Sequence, residues 1–388
     1  AYRIIPGDGH DWLVDKMEES VHLPLPTREK DYVRVLDDED YPGKPDLTPR
    51  PQLSSKGAVD RGVTADSPAD PARIDLMVVY TTGLANKLGP NLMTRLFNLV
   101  AAANMAYVDS AVQMTLRLVN ATMINYTDGT SNGTALDAIS PGRPGFNAAF
   151  SGVETIRNAH GADLVALLRD GGDNFGSGIA WLTLSKGPAY GQSLPNPQRM
   201  YSVTTGCVVG CDSVFIHELG HNMGNAHDRA TDAAQGNGVV DGGAFPYSFG
   251  HYFCASGVLT CNPDLPAASG GCGPSNLPQC STSSTNNMGT IMSYFDPVTL
   301  KFSNPNITCR QTPTSNPQPC GVPEFAGNSA NNALSMNNMR NVIQDAKTQT
   351  IAGGLPGLIQ FSAMTYSVSE TAGTANLTVN RLNGSTGA

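Results

Sequence analysis

The sequence predicts an α/β domain, a mixed twisted sheet with helices, followed by a loop-rich subdomain stapled by disulfides. Three observations lead there. Between residues 74 and 182, runs with strand character alternate with runs of helical spacing, the pattern of a sheet covered by helices. The 388 residues include 41 glycines and 27 prolines, which call for long loops rather than a helical bundle. All eight cysteines fall between Cys207 and Cys320, an even, clustered set that points to disulfides and an oxidising compartment.

Residues 1–70 stand apart from the rest. They carry fifteen of the 33 acidic residues, nine of the 24 basic ones and no cysteine. Residues 11–19 are expected as one short helix, and 41–71, rich in Pro, Asp, Ser and Gly, as an extended linker. The chain opens at Ala1 without a basic and then apolar leader, so a signal peptide is expected to have been removed.

The first strand of the domain is residues 74–80, apolar and β-branched, bounded by Pro71 and Gly83. Residues 91–110 are helical, with Leu92, Leu96, Leu99 and Ala103 spaced three and four apart. Residues 114–119 alternate as a strand, with Met114, Leu116 and Leu118 on one face. A second helix is expected over 146–160, a strand over 163–168, and a short edge strand over 178–182. Residues 253–318 read as loops and 326–345 as a closing helix. From 359 to 379 the chain alternates again, giving two or three strands, too few to stand alone. The expected division is therefore 1–70, 71–352 and 353–388.

Composition excludes several partners. A net charge of −9 with 15% charged residues argues against nucleic acid, which needs a basic face. No run of about 18 apolar residues occurs, so no membrane-spanning helix is expected. Eight cysteines allow about 105 connectivities. Pairing of sequence neighbours gives Cys207–Cys211, Cys254–Cys261, Cys272–Cys280 and Cys309–Cys320. A four-cysteine zinc site is the weaker reading, because no CxxC occurs.

The chemistry concentrates in His217-Glu218-Leu219-Gly220-His221-Asn222-Met223-Gly224-Asn225-Ala226-His227-Asp228. On a helix, His217 and His221 share a face one turn apart, while Phe215, Leu219 and Met223 point to the core. Gly224 tolerates positive φ, so the helix can stop and the chain can swing His227 towards the other two imidazoles. Three neutral imidazoles with an open fourth position suit catalytic zinc. Glu218, beside the pair, is placed to take a proton from an activated water. The pair alone is moderate evidence, and the third histidine makes it specific.

These residues resemble the extended zinc signature of the metzincin endopeptidases, and Asp228 after the third histidine resembles the adamalysin or reprolysin branch. Gly289-Thr290-Ile291-Met292-Ser293-Tyr294 is similar to the methionine turn beneath the metal in that group, and Phe302-Ser303-Asn304-Pro305 resembles secreted bacterial reprolysin-like peptidases. The resemblance covers about residues 73–347. It implies a metzincin fold with the active-site helix below a horizontal cleft and zinc on His217, His221 and His227. It also implies Glu218 as general base and acid, with Met292 as the structural base of the site. Gly178, Ile179, Ala180 and Trp181 would form the rim strand that binds protein or peptide substrates.

Tyr294 is absent from snake-venom adamalysins but similar to the tyrosine of astacins and serralysins, which implies oxyanion stabilisation; packing is the alternative. The resemblance further implies a structural Ca2+ on Asp75, Asp163 and Asn332, which as isolated polar residues would otherwise be ordinary surface. Residues 1–70 resemble the end of a propeptide, so the chain's own N-terminal segment is an expected inhibitor, without a cysteine switch because no cysteine precedes Cys207. Residues 359–388 resemble the first strands of a Calx-β domain. A secreted zinc metalloendopeptidase is the expected activity. A latent zymogen and a catalytically weak adhesion module are the alternatives.

Overall fold

A computed structural model of the chain describes residues 71–348, except 172–176, 183–198, 209, 237–239, 241, 270, 274–275 and 312–314. It also describes the backbone of five short strands at the two ends: Tyr2–Gly7 (β1), His10–Asp15 (β2), Tyr32–Arg34 (β3), Leu358–Phe361 and Val379–Leu382. The linker expected over 41–71 lies outside the described residues, as does most of the tail; there, Leu358–Phe361 and Val379–Leu382 pair antiparallel.

The domain is built on five strands, Ala72–Thr81 (β4), Met114–Ile124 (β5), Leu164–Arg169 (β6), Gly178–Leu182 (β7) and Tyr201–Thr205 (β8). Their order is β5-β4-β6-β8-β7, parallel except for β7, which runs antiparallel to β8. β4 is buried along nearly its whole length, as a strand packed on both faces requires, whereas β5, at the end of the sheet, is largely half-buried. β3 extends the sheet by pairing in parallel with β7, Tyr32 opposite Ala180 and Arg34 opposite Leu182.

Alternation along the strands divides the core in two. Ile74, Leu76, Val78, Leu116, Ala166 and Leu168 face one side. There they meet Leu92–Asp109 (α2), Asp212–Asn222 (α5) and Asn332–Gln344 (α7). Met77, Val79, Val165, Leu167, Trp181 and Val203 face the other side, towards Asn132–Ile139 (α3) and Val153–His160 (α4). Thr82–Leu88 (α1) caps the end of β4, with the Thr81 hydroxyl accepting from the Leu84 N–H.

Several expectations are corrected. Residues 10–15 are a strand, not a helix: β1 and β2 pair from Tyr2↔Asp15 to Gly7↔His10. Asp8-Gly9 between them is the dipeptide that favours a two-residue hairpin. The helix expected over 146–160 holds only as Val153–His160, because Ser151 and Gly152 separate it from a 3-10 turn, Ala148–Phe150. The closing helix begins at Asn332, capped by the Asn331 side chain, which accepts from Leu334 N–H at 3.0 Å.

The cysteines form four disulfides, Cys207–Cys211, Cys254–Cys280, Cys261–Cys272 and Cys309–Cys320. The expected Cys254–Cys261 and Cys272–Cys280 pairs are overturned. The chain between 254 and 280 folds back on itself, with Ser281 N–H donating to Val258 O and Thr260 N–H to Gln279 O, both at 2.9 Å. Cys280 thereby returns beside Cys254, and Cys261 meets Cys272 further out along the same loop.

Candidate active site

Helix α5 carries the first two histidines, and its placement is tightly determined. The Cys207–Cys211 disulfide precedes it, and the buried Arg95 of α2 clamps its first turn, donating to Cys207 O at 2.8 Å and pairing with Asp212 at 3.2 Å. At the other end, the Asn222 amide donates to Trp181 O at 2.8 Å and Tyr201 O at 3.0 Å, bridging the neighbouring strands β7 and β8. Along its inner face, Phe215, Ile216, Leu219 and Met223 enter the core. The disulfide and Arg95 at one end and the Asn222 amide at the other thus fix α5 against the sheet.

Beyond Met223 the chain reverses at Gly224, whose φ of 87° suits glycine. Asn225 then returns to the helix, its N–H and its amide both donating to Gly220 O. The strand Ala226–Asp228 (β9) follows and pairs with Phe249–Gly250 (β10). The result brings His217, His221 and His227 together, with candidate ligand atoms all within 4.8 Å of one another. All three side chains are buried. Among the described residues this is the one group of three or more His, Cys, Asp or Glu side chains so arranged.

Each imidazole is oriented by a carbonyl oxygen at Nδ1: Ile291 O for His217 at 2.6 Å, Asn225 O for His221 at 2.7 Å and Gln235 Oε1 for His227 at 2.8 Å. A carbonyl only accepts, so each Nδ1 carries the proton and each Nε2 keeps its lone pair for a metal. His217 Nε2 and His221 Nε2 stand 3.0 Å apart, close enough to share one ion. Three converging neutral imidazole nitrogens fit zinc.

Glu218 is fully buried and lies against β7. The contact is so close that a Cβ at Gly178 would stand 2.6 Å from Glu218 Cγ. Beneath the histidines, Met292 is fully buried, and a Cβ at Gly220 would meet its Sδ at 2.5 Å. The Tyr294 ring lies 4.4 Å from that of His227 and 5.9 Å from that of His217, centroid to centroid.

Asp228 ties the third ligand to this turn. It caps Arg229–Gln235 (α6) by accepting from Thr231 N–H at 2.9 Å, and accepts from Ser293 Oγ at 3.0 Å and Tyr294 N–H at 3.2 Å. Burial pushes its carboxyl above the ordinary range, against those hydrogen bonds.

Of the residues singled out in sequence, His217, Glu218, His221, His227, Met292 and Tyr294 converge, and Gly178 joins them. Ile179, Ala180 and Trp181 continue along β7, although the Trp181 side chain belongs to the core on the opposite face. The three residues expected to hold calcium do not assemble. Arg117 takes both Asp75 oxygens at 2.6 Å. Asp163 accepts from Asp75 N–H at 2.8 Å and Lys347 N–H at 3.1 Å, and burial pushes its carboxyl up to about 8. Asn332 sits at the opposite end of α7, a helix about 20 Å long. There it donates to Asn225 Oδ1 at 2.9 Å and supports the turn between the second and third histidines.

A family model, Reprolysin_5, described as metallo-peptidase family M12, matches residues 70–303, more than half of the chain. The chain belongs to metallopeptidase family M12. Three relatives are named peptidyl-Asp metalloendopeptidase. That of Stenotrophomonas maltophilia is 27% identical over 212 residues, 55% of this chain and 45% of its own. That of Xanthomonas campestris is 27% identical over 215 residues, with the same two shares. That of Pseudomonas aeruginosa is 31% identical over 178 residues, 44% of this chain and 28% of its own. The chain thus matches less than half the length of each.

Proposed function

We propose that this M12 chain is the catalytic part of a secreted zinc endopeptidase of the metzincin type, cutting peptide bonds within proteins. The observation that carries the reading is the convergence of three buried imidazoles, each held at Nδ1 by a carbonyl oxygen, beside the buried Glu218. His217, His221 and His227 would hold zinc. When bound, zinc supplies Lewis acidity, polarising a carbonyl and lowering the pKa of water towards roughly 7.

Glu218 takes a proton from the attacking water and returns it to the leaving amine, ending the cycle ionised. The Tyr294 hydroxyl donates to the oxyanion as charge develops on it. Residues Gly178–Trp181 of β7 take substrate backbone as an added strand, which binds many sequences through main-chain hydrogen bonds. From the relatives' names we carry over a preference for bonds at aspartyl residues. The four disulfides agree with an extracellular setting. Residues 71–352 form the catalytic domain in this reading, and residues 353–388 begin a Calx-β module.

A latent form is the second reading, favoured by one observation. β3 pairs with Ala180–Leu182, on the same edge that substrate would use. Residues 1–70 would then compete with substrate. Expressing the chain from residue 71 raises kcat/KM in that case and leaves it unchanged otherwise.

Casein digestion at neutral pH tests the main reading, with cut sites mapped by mass spectrometry. Cleavage is expected to stop on chelation and return with zinc. Cleavage that persists in chelator would refute a zinc enzyme. Cut sites without aspartate enrichment would remove only the preference.

A further inference from the structure

Two of the three imidazoles are oriented by main-chain carbonyls, those of Ile291 and Asn225. The third is different. His227 Nδ1 meets a side chain, the Oε1 of Gln235, at 2.8 Å.

Gln235 ends α6, the short helix that begins directly after Asp228. The helix is buried almost throughout, its inner positions being Ala230, Ala233 and Ala234. A glutamine amide in such surroundings costs free energy unless it is used. Its nitrogen, Nε2, has no hydrogen-bond partner among the described residues. Its oxygen is the atom of Gln235 that meets the imidazole. The helix is held at its start and its middle: Asp228 caps it, and Asp232 Oδ2, one turn in, accepts from Gly242 N–H at 3.0 Å. Gln235 thus approaches His227 from a rigid element rather than a loop.

We infer that Gln235 is the positioning residue of the third metal ligand. Its Oε1 selects the tautomer of His227 that carries the proton on Nδ1 and aims Nε2 at the ion. The inference rests on the reading of the three histidines as zinc ligands. An outer partner of this kind typically sets metal affinity by 10–100-fold. Alone among the three orienting groups it can be altered by substitution without touching the main chain.

The test is zinc affinity, read by competition with a chromophoric chelator on the full chain, for wild type, Gln235→Leu and Gln235→Glu. Wild-type binding at one zinc per chain is the control: if it is absent, the histidine reading fails and the Gln235 inference falls with it. With the control met, Gln235→Leu weakens zinc binding about 10–100-fold while the metal-free chain still unfolds in a single cooperative thermal transition. Gln235→Glu, which keeps an acceptor in place, recovers binding to within about threefold of wild type, since a carboxylate orients histidine as a carbonyl does. Equal affinity in Gln235→Leu and wild type overturns the inference, and so does equal loss in both variants, which would mean shape alone matters.

A second readout survives even if Gln235→Leu does not fold. In the zinc-loaded protein each hydrogen-bonded imidazole N–H gives a downfield proton resonance. Gln235→Glu shifts the one from His227 and leaves those of His217 and His221 in place. No shift in any of the three overturns the assignment.

Discussion

Gly178→Ala tests whether Glu218 is held against β7. An added Cβ would stand 2.6 Å from Glu218 Cγ and 2.7 Å from Cδ. Carbon atoms in contact prefer about 3.5–4.0 Å, so the carboxylate has to retreat by roughly 1 Å. The obstacle is the end of a side chain, not backbone, and the strand conformation at 178 accepts alanine, so the fold gives little. Gly-to-Ala exchange also removes some unfolded-state freedom, worth about 0.5–1 kcal/mol in the protein's favour. A misplacement of that size in a proton-transfer group costs on the order of 10²-fold in rate. The expected result is a kcat about 10²-fold lower on a quenched fluorescent peptide, with KM within about twofold and an unchanged thermal midpoint. A kcat within threefold of wild type would refute the placement of Glu218. A rise in KM alone would say that position 178 serves substrate binding rather than the base.

Three further outcomes follow from the same contacts. Asn222→Ala leaves the Trp181 and Tyr201 carbonyls without their amide partner, costing about 2 kcal/mol in denaturant unfolding; an unchanged midpoint would show that the bridge is dispensable. Tyr294→Phe lowers kcat by roughly 10²-fold with zinc content intact if the hydroxyl serves the oxyanion, and an unchanged kcat makes the ring packing only. Asp163 has its pKa raised from 3.8 to about 8, mainly by burial. The folded chain therefore keeps a proton there that the unfolded chain gives up, and this group's contribution to stability falls as pH rises from about 4 to about 8. Asp163→Asn cannot titrate, so its thermal midpoint relative to wild type should rise between pH 5 and pH 8; a constant difference would contradict the shift.

The candidate site was legible because its chemistry is local in sequence. His217, Glu218 and His221 lie on one helical face, and Gly224 marks the reversal that returns His227. Met292 and Tyr294 were legible only through resemblance, since nothing in spacing says that residues 65 and 67 positions past His227 pack against the histidines. Gln235 was missed: a lone glutamine eight residues after a histidine carries no periodic signal, and its role appears once α6 folds back. Arg95 and Asn222 were missed for a related reason, because both act across distant segments. Strand β8 was also passed over, although Tyr201, Val203, Thr204 and Thr205 have strong β preference. The disulfides show the same limit. Whether Cys254 meets Cys261 or Cys280 depends on which stretches pair in antiparallel fashion, and neighbours in sequence are not neighbours across a folded loop. The strands over 2–7 and 10–15 are the opposite case: Asp8-Gly9 between them is a dipeptide that favours hairpins, a signal the helix expected over 11–19 passed over.

In the proposed reading, Glu218 and the three histidines form one hydrolytic site. The most direct measurement pairs wild type with Glu218→Ala, recording casein cleavage and bound zinc in each, before and after removal of residues 1–70. One zinc per chain is expected in both proteins, with cleavage by wild type and none by Glu218→Ala. Equal cleavage by the two, or none from zinc-loaded wild type even without residues 1–70, would contradict that reading.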